Sequence, residues 1–411
     1  MVKNFVKLGT IGLTAFMLTQ SAYAGKLIIN ADTADPAPKQ AWLETIEAFK
    51  AENPDIEVQF NISDHEAYKT AIRGWLASDA PDVVFWYAGN RMNTFAERGL
   101  LEDVSDIWTD ELKENFASTL SSMTYDGKQY GIPYTFYQWG IYYRKDLFEQ
   151  VGIEGEPKTW DEFLQAGEKL KAAGITPVTI GTKYLWTAAG WFDYLDLRIN
   201  GLEFHLQLCN GEISWKDPRV LKVFEAWKQL LDNGFFIENH ANYSWQEAQP
   251  PLYNGQAAMY LIGNFITPSF PEDVKDNMGF FQFPVIDETI GLAEDAPTDT
   301  VHIPTKAKNK EDARRFLEYV ARQDVQEKLN SVLLQIPTHK KAKAISDPFI
   351  DKGVAMLGSV EGTAQFYDRD TDPDMAKIGM VGFQEFMVKP ERLDKILDKL
   401  EKARIRIYDV K

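Results

Sequence analysis

The stretch from Leu27 to Trp86 constrains the fold of this chain more than any other part of it. Leu27-Ile28-Ile29 is a short apolar strand that runs into the polar loop Asn30-Ala31-Asp32-Thr33-Ala34-Asp35. Trp42, Ile46 and Phe49 then recur at spacings of four and three, which marks one face of a helix ending before Pro54. Ile56, Val58 and Phe60 alternate as a strand does, and Tyr68, Ile72, Trp75 and Leu76 mark a second helix. Ala80-Pro81-Asp82 turns into the strand Val83-Val84-Phe85-Trp86. Strand, helix, strand, helix, strand at this pace predicts an α/β fold with a parallel sheet. Such sheets gather ligands at the carboxyl ends of their strands. Those ends here are residues 32–35, 64–66 and 86–90.

Further along, Asp126-Gly127 reads as a turn before the short extended run Tyr130-Gly131-Ile132-Pro133-Tyr134. Pro133 has no amide donor and biases Ile132 toward extended geometry, so the run suits a crossing better than a sheet centre. Phe136, Tyr137, Trp139, Tyr142 and Tyr143 then fall within eight residues. The pattern fits a buried strand with an aromatic face. It equally fits a segment that leaves one domain, passes a cleft and enters another. Two later runs have the same character, Phe280-Phe281-Gln282-Phe283-Pro284-Val285 and Leu334-Gln335-Ile336-Pro337. Helix punctuation is clear elsewhere. Thr159 and Glu162 form a capping box, Asp217-Pro218 opens a helix, and Asp324 with Glu327 reads as another capping pair. Gly99, Gly174 and Gly234 close helices. With 411 residues, no internal repeat and no Gly/Ser linker, the chain predicts two domains joined by several short crossings.

Lys3 and Lys7 precede a mostly apolar run over residues 8–18, and Ala22-Tyr23-Ala24 is a small-x-small cleavage site. This predicts a secretory signal over residues 1–24, cut after Ala24, and a periplasmic mature protein. The single Cys209 cannot form an internal disulfide and is expected as a packed thiol, which suits a large exported core that needs no staples. A formal net charge of −17 repels nucleic acid and anionic membrane.

Signals for enzyme chemistry are poor. The chain has five His and lacks the zinc-protease, serine-hydrolase, phosphate-loop and dinucleotide signatures. Asp368-Arg369-Asp370-Thr371-Asp372-Pro373-Asp374 alternates carboxylates like the start of a calcium loop. Pro373, however, stands where a sharp turn needs Gly, and Gly379 where a bidentate Glu belongs. No metal and no cofactor are expected. What the sequence does offer is aromatic and polar residues at loop positions. Trp86, Tyr137, Trp186, Trp191, Trp245 and Phe265 are the aromatic candidates. Asp32, Glu66, Asn90, Gln138, Asn264, Asp299 and Arg369 stand beside them. Flat rings stack on the C–H face of a sugar, while amides and carboxylates take directed hydrogen bonds from its hydroxyls. Any one tryptophan taken alone fits core packing better.

The order and spacing of several motifs resemble the substrate-binding proteins of bacterial ABC sugar importers, the extracellular solute-binding family that includes the maltose-binding proteins. The residues that carry the resemblance are Ala80-Pro81-Asp82-Val83-Val84-Phe85-Trp86, Tyr130-Gly131-Ile132-Pro133-Tyr134, and Tyr143-Arg144-Lys145-Asp146-Leu147-Phe148. Pro157-Lys158-Thr159-Trp160-Asp161-Glu162-Phe163, Asn254-Gly255-Gln256-Ala257-Ala258-Met259 and Lys308-Asn309-Lys310-Glu311-Asp312-Ala313 extend it over nearly all of the mature chain. The resemblance implies a periplasmic binding protein of type II, with two α/β lobes, a ligand cleft and three hinge crossings at the proline-bearing runs. Lobe 1 would comprise residues 25–134 and 284–336, and lobe 2 residues 135–283 and 337–411. By the same resemblance Trp86 is the stacking aromatic of the first lobe, and Asp32, with His65 and Glu66 more weakly, is a polar contact. Tyr184, Trp186, Asn264 and Phe265 are second-lobe contacts, although Asn264-Phe265 replaces the Pro and Trp of maltose-type proteins. The implied function is capture of a mono- or oligosaccharide by a monomer that hands it to an ABC permease and does no chemistry itself. Two alternatives stay open: the same fold binding a polyamine, and an exported polysaccharide-degrading enzyme. Lys183 and Arg369 are the residues that would admit a uronate.

Overall fold

The first five elements form as their patterns require. The computed structural model describes residues 25–410, so the expected signal lies outside the described residues. The strands Gly25–Ala31, Ile56–Ile62 and Val83–Tyr87 run parallel, with Gly25–Ala31 in the middle. Thr298–His302 joins on the far side of Val83–Tyr87, antiparallel to it, and Ile132–Phe136 completes a sheet of five. The Pro133-bearing strand lies at the sheet edge, where a missing amide donor costs no ladder bond. A second sheet of four places Met278–Phe281, Trp139–Arg144, Ala257–Gly263 and Thr176–Val178 in that order.

Each sheet nucleates its own core. The first is built from residues 27–134 and 301–333, with Trp42 packed edge-on against Phe85 and Tyr134. The second takes residues 137–283 and 349–403. There Phe192 stacks on Phe383 at 4.4 Å, and Trp191 sits between Phe163, Phe236 and Phe283. Two separate cores in one chain make two lobes, as expected for a chain of this length.

The crossings lie near the proline-bearing runs, each on its C-terminal side. The first passes through Tyr137-Gln138, between strands of the two sheets. The second run does not cross at Pro284. Val285 pairs with Thr159, and the strand Ala293–Asp295 pairs with Gly362–Ala364, so residues 284–295 stay with the second lobe. The chain enters the first lobe only after Ala296-Pro297. The cause is Arg198, buried in the second lobe, which donates to the carbonyls of Phe283 and Ala293 and pairs with Glu294. The third run also stays put. Ile336 pairs with Phe136, Thr338 donates to the Pro133 carbonyl, and Lys340 donates to the Asn115 carbonyl. The return to the second lobe follows, ahead of the helix Pro348–Leu357, whose Phe349 packs on Tyr142 and Phe270.

The capping box at Thr159 and Glu162 is formed. The pair expected at Asp324 and Glu327 is not. Asp324 is drawn to Arg322, while Glu327 accepts from Gln323 and from the Lys343 amide. Among the described residues no helix is long and apolar enough to cross a membrane.

Candidate functional site

A cavity of about 350 Å³ opens between the lobes at the carboxyl ends of the first-lobe strands. Its two sides contribute unequally. The first lobe supplies Asp32, His65 and Asp299 together with the rings of Trp42, Tyr87 and Tyr134. Asp32 follows the first strand, and His65 begins the helix His65–Ala77, which Asp64 caps. The two meet at 2.9 Å between Asp32 Oδ2 and His65 Nδ1, and the Tyr87 hydroxyl donates to the same Asp32 oxygen at 3.3 Å. Burial raises the pKa of the Asp32 carboxyl, but His65 outweighs it and holds the carboxyl below its usual range.

Asp299 lies in the strand Thr298–His302, in register with Tyr87. Arg369 Nη1 donates to Asp299 Oδ1 and to the Thr298 carbonyl, each at 3.0 Å, and Nη2 donates to the Tyr137 hydroxyl at 3.0 Å. The guanidinium also lies 4.2 Å from the centre of the Tyr87 ring, a cation–π contact. Burial pushes Asp299 up to about 6 despite the partial offset from Arg369. Every formal charge at the centre of the site therefore already has a partner within the protein.

The second lobe supplies most of the aromatic wall, together with Arg369, Asp368, Gln246 and Gln249. Phe265 is its hub, edge-on to Tyr137 at 5.4 Å, Trp245 at 5.0 Å and Trp186 at 6.1 Å. Trp139 stands 6.0 Å from Trp186 and 4.7 Å from Phe366. Trp186 and Trp245 are half-buried and face the cavity.

Of the residues singled out from the sequence, Asp32, Tyr137, Trp186, Trp245, Phe265, Asp299 and Arg369 line this cavity. Seven others lie elsewhere. Trp86 points to the opposite face of its strand, against Tyr87 and Phe95, with its indole N–H on the Arg91 carbonyl. Asn90 starts a helix and donates to the Asp370 carbonyl. Glu66 is not itself in the wall but pairs with Lys69, which is. Gln138 is fully buried and donates to the Phe349 carbonyl. Trp191 is core, and Tyr184 is exposed under Lys183. Asn264 is buried between the Tyr142 hydroxyl and the Leu334 carbonyl.

Tyr87, Trp139 and Phe366 line the cavity without having been singled out. For Tyr87 the signal was available. Phe85 and Tyr87 share the face that carries the first-lobe core, and period-2 alternation sends Trp86 the other way. Phe366 lies beside the acidic stretch 368–374, which is taken up by local bonds. Asp368 pairs with Arg91, Asp370 accepts the amides of Gln365 and Phe366, and Asp372 caps the helix Pro373–Val388. Among the described residues no group of His, Cys, Asp or Glu is placed to hold a metal ion.

Residues 31–327 match the family described as bacterial extracellular solute-binding protein. An uncharacterized ABC transporter extracellular-binding protein of Pyrococcus horikoshii is 29% identical over 278 residues, 67% of this chain and 61% of that protein. The multiple sugar-binding protein of Streptococcus mutans is 25% identical over 338 residues, covering 77% of this chain and 78% of the relative. Among solved structures, the bacterial solute receptor AcbH superposes with a TM-score of 0.87 at 29% identity. That match covers 93% of this chain and 99% of AcbH, which is described as having an exclusive preference for β-D-galactopyranose.

Proposed function

The chain belongs to the bacterial extracellular solute-binding protein family, whose members are binding proteins rather than enzymes, and from that premise we propose that it captures a neutral saccharide between its two lobes. The observation that carries this reading is a cavity whose wall joins charged and polar groups from both lobes to a cluster of aromatic rings, most of them from the second lobe. A pyranose offers both kinds of surface to such a wall, with hydroxyls around its edge and C–H groups on its face. Asp32, His65 and Asp299 would take and give the hydroxyl hydrogen bonds, and Trp186 and Trp245 would cover the C–H face.

Charge favours a neutral ligand. A uronate needs an available cation, but Arg369 is committed to Asp299 and Tyr137, Lys69 in the cavity wall is paired with Glu66 at 3.5 Å, and Lys183 lies outside the cavity beside Glu247. A polyamine needs several available carboxylates, but Asp32, Asp299 and Asp368 are held by His65, Arg369 and Arg91, which leaves only Asp35, approached by Gln246 at 3.4 Å. Closure of the lobes would sequester the sugar. The exported monomer, its signal removed after Ala24, would then deliver it to an ABC permease. The solute released when freshly purified protein is denatured should have the mass of an uncharged saccharide. A released polyamine, or an acidic sugar, overturns the reading.

A further inference from the structure

We propose that a clasp across the cleft, made by Arg91 and Asp368, closes one end of the site and limits the ligand to one or two sugar rings. The inference rests on the saccharide reading above and adds the length of the ligand to it.

The clasp joins the two lobes. Arg91 is in the helix Asn90–Glu97 of the first lobe. Asp368 is in the short helix Tyr367–Asp370, which the second lobe anchors through the Tyr367 amide donating to Asp193 at 2.7 Å. Arg91 Nη2 donates to Asp368 Oδ2 at 2.6 Å, and its Nε donates to the Asp368 carbonyl at 2.7 Å. One residue away, the Asn90 side chain donates to the Asp370 carbonyl at 2.6 Å. The paired side chains are only 12% and 9% exposed, so this is a desolvated contact and not a surface pair. Charge-assisted bonds of this kind, with two donors from one guanidinium, fix geometry as well as add energy. The backbones approach closely here too, since a Cβ on Gly89, at φ +71°, would stand 3.0 Å from the Arg369 carbonyl.

The clasp decides what lies beyond the cavity. Asp368 is part of the cavity wall. Behind it, Arg91 lies 6.0 Å from the centre of the Trp86 ring and its carbonyl holds the indole N–H. At about 350 Å³ the cavity stands at the low end of ligand sites, which span roughly 300–1,000 Å³. A third ring has no room at this end unless the clasp opens.

The test is calorimetric titration of the full chain and of Arg91→Ala with neutral saccharide ladders. The probes are galactose, glucose and xylose, with their β-1,4- and α-1,4-linked disaccharides, trisaccharides and tetrasaccharides. The wild type should bind a monosaccharide or disaccharide and hold the trisaccharide of the same series at least about tenfold more weakly. Arg91→Ala should narrow that gap by about tenfold, and Asp368→Asn, which keeps the shape and loses the charge, should narrow it in the same direction. A wild type that binds a trisaccharide as tightly as its shorter homologues overturns the clasp while leaving the saccharide reading intact. An unchanged gap in a folded Arg91→Ala protein overturns it as well. If Arg91→Ala does not fold, the wild-type ladder and Asp368→Asn still decide. Binding of no saccharide of any length overturns the saccharide reading, and the length limit with it.

Discussion

Trp86 and Trp186 both follow or open an element near the cleft, and both looked like stacking residues in the sequence. The structure separates them. Trp86 is 5% exposed and packed between Tyr87 and Phe95, whereas Trp186 faces the cavity from the start of the helix Trp186–Ile199. Truncating a buried tryptophan leaves a cavity and costs about 3–5 kcal/mol. Trp86→Ala should therefore lower the denaturation free energy by that amount and leave the affinity of the folded protein within about twofold. Trp186→Ala should do the reverse, weakening saccharide binding about tenfold with little change in stability, because a stacking contact is worth about 0.5–1.5 kcal/mol. Loss of affinity in Trp86→Ala with unchanged stability would contradict the placement. Asp299 supplies a second test at this scale. Its folded pKa of about 6 lies above its ordinary value of 3.8, so its protonated form favours the fold. Its contribution to stability is fully present below pH 3.8 and is lost as pH rises through 6. The stability difference between wild type and Asp299→Asn should fall between about pH 4 and 6 and level off above. A flat difference across that window contradicts the burial argument.

At the scale of elements, the strands and helices of the first lobe were legible because their apolar residues keep strict periods of two and 3.6. The crossings were legible only as neighbourhoods. Proline marked each run, but where the chain changes lobe depends on side chains far away in sequence, such as Arg198 holding residues 283–294 to the second lobe. No local pattern encodes that. The helix Gln323–Leu333 shows the same kind of long-range control. Gln326 donates to the Pro133 carbonyl at 2.8 Å, and Asn330 donates to the Tyr134 carbonyl at 2.9 Å, both fully buried. Gln326 Oε1 also accepts from Thr338 and from the His339 amide. The first crossing is thus tied to the third by one side chain. Gln326→Leu keeps the volume and takes the partner from the buried His339 amide, while the Pro133 carbonyl keeps only Thr338, so it should cost about 1–3 kcal/mol in chemical denaturation. A cost below about 0.5 kcal/mol would show that the two segments are held by something else.

Across the whole molecule, the residues that meet in the cavity come from positions as far apart as Asp32 and Arg369. Seven of the site residues expected from the sequence reach it. Those that do not are turned away where strand alternation or a buried carbonyl decides the direction of the side chain, as for Trp86 and Gln138. The joining of polar groups and aromatic rings from both lobes into one wall appears only when the lobes face each other. It makes binding depend on both, and a ligand held by both stabilises the folded chain by mass action. The central claim, that this cleft takes a neutral sugar, is tested most directly by melting the full chain against a panel of neutral saccharides, with spermidine and galacturonate as counter-probes. At a ligand concentration one hundred times Kd, at least one neutral saccharide should raise the melting temperature by the equivalent of about 2.7 kcal/mol, and neither counter-probe should. A shift with spermidine or galacturonate and with no neutral saccharide would contradict the account.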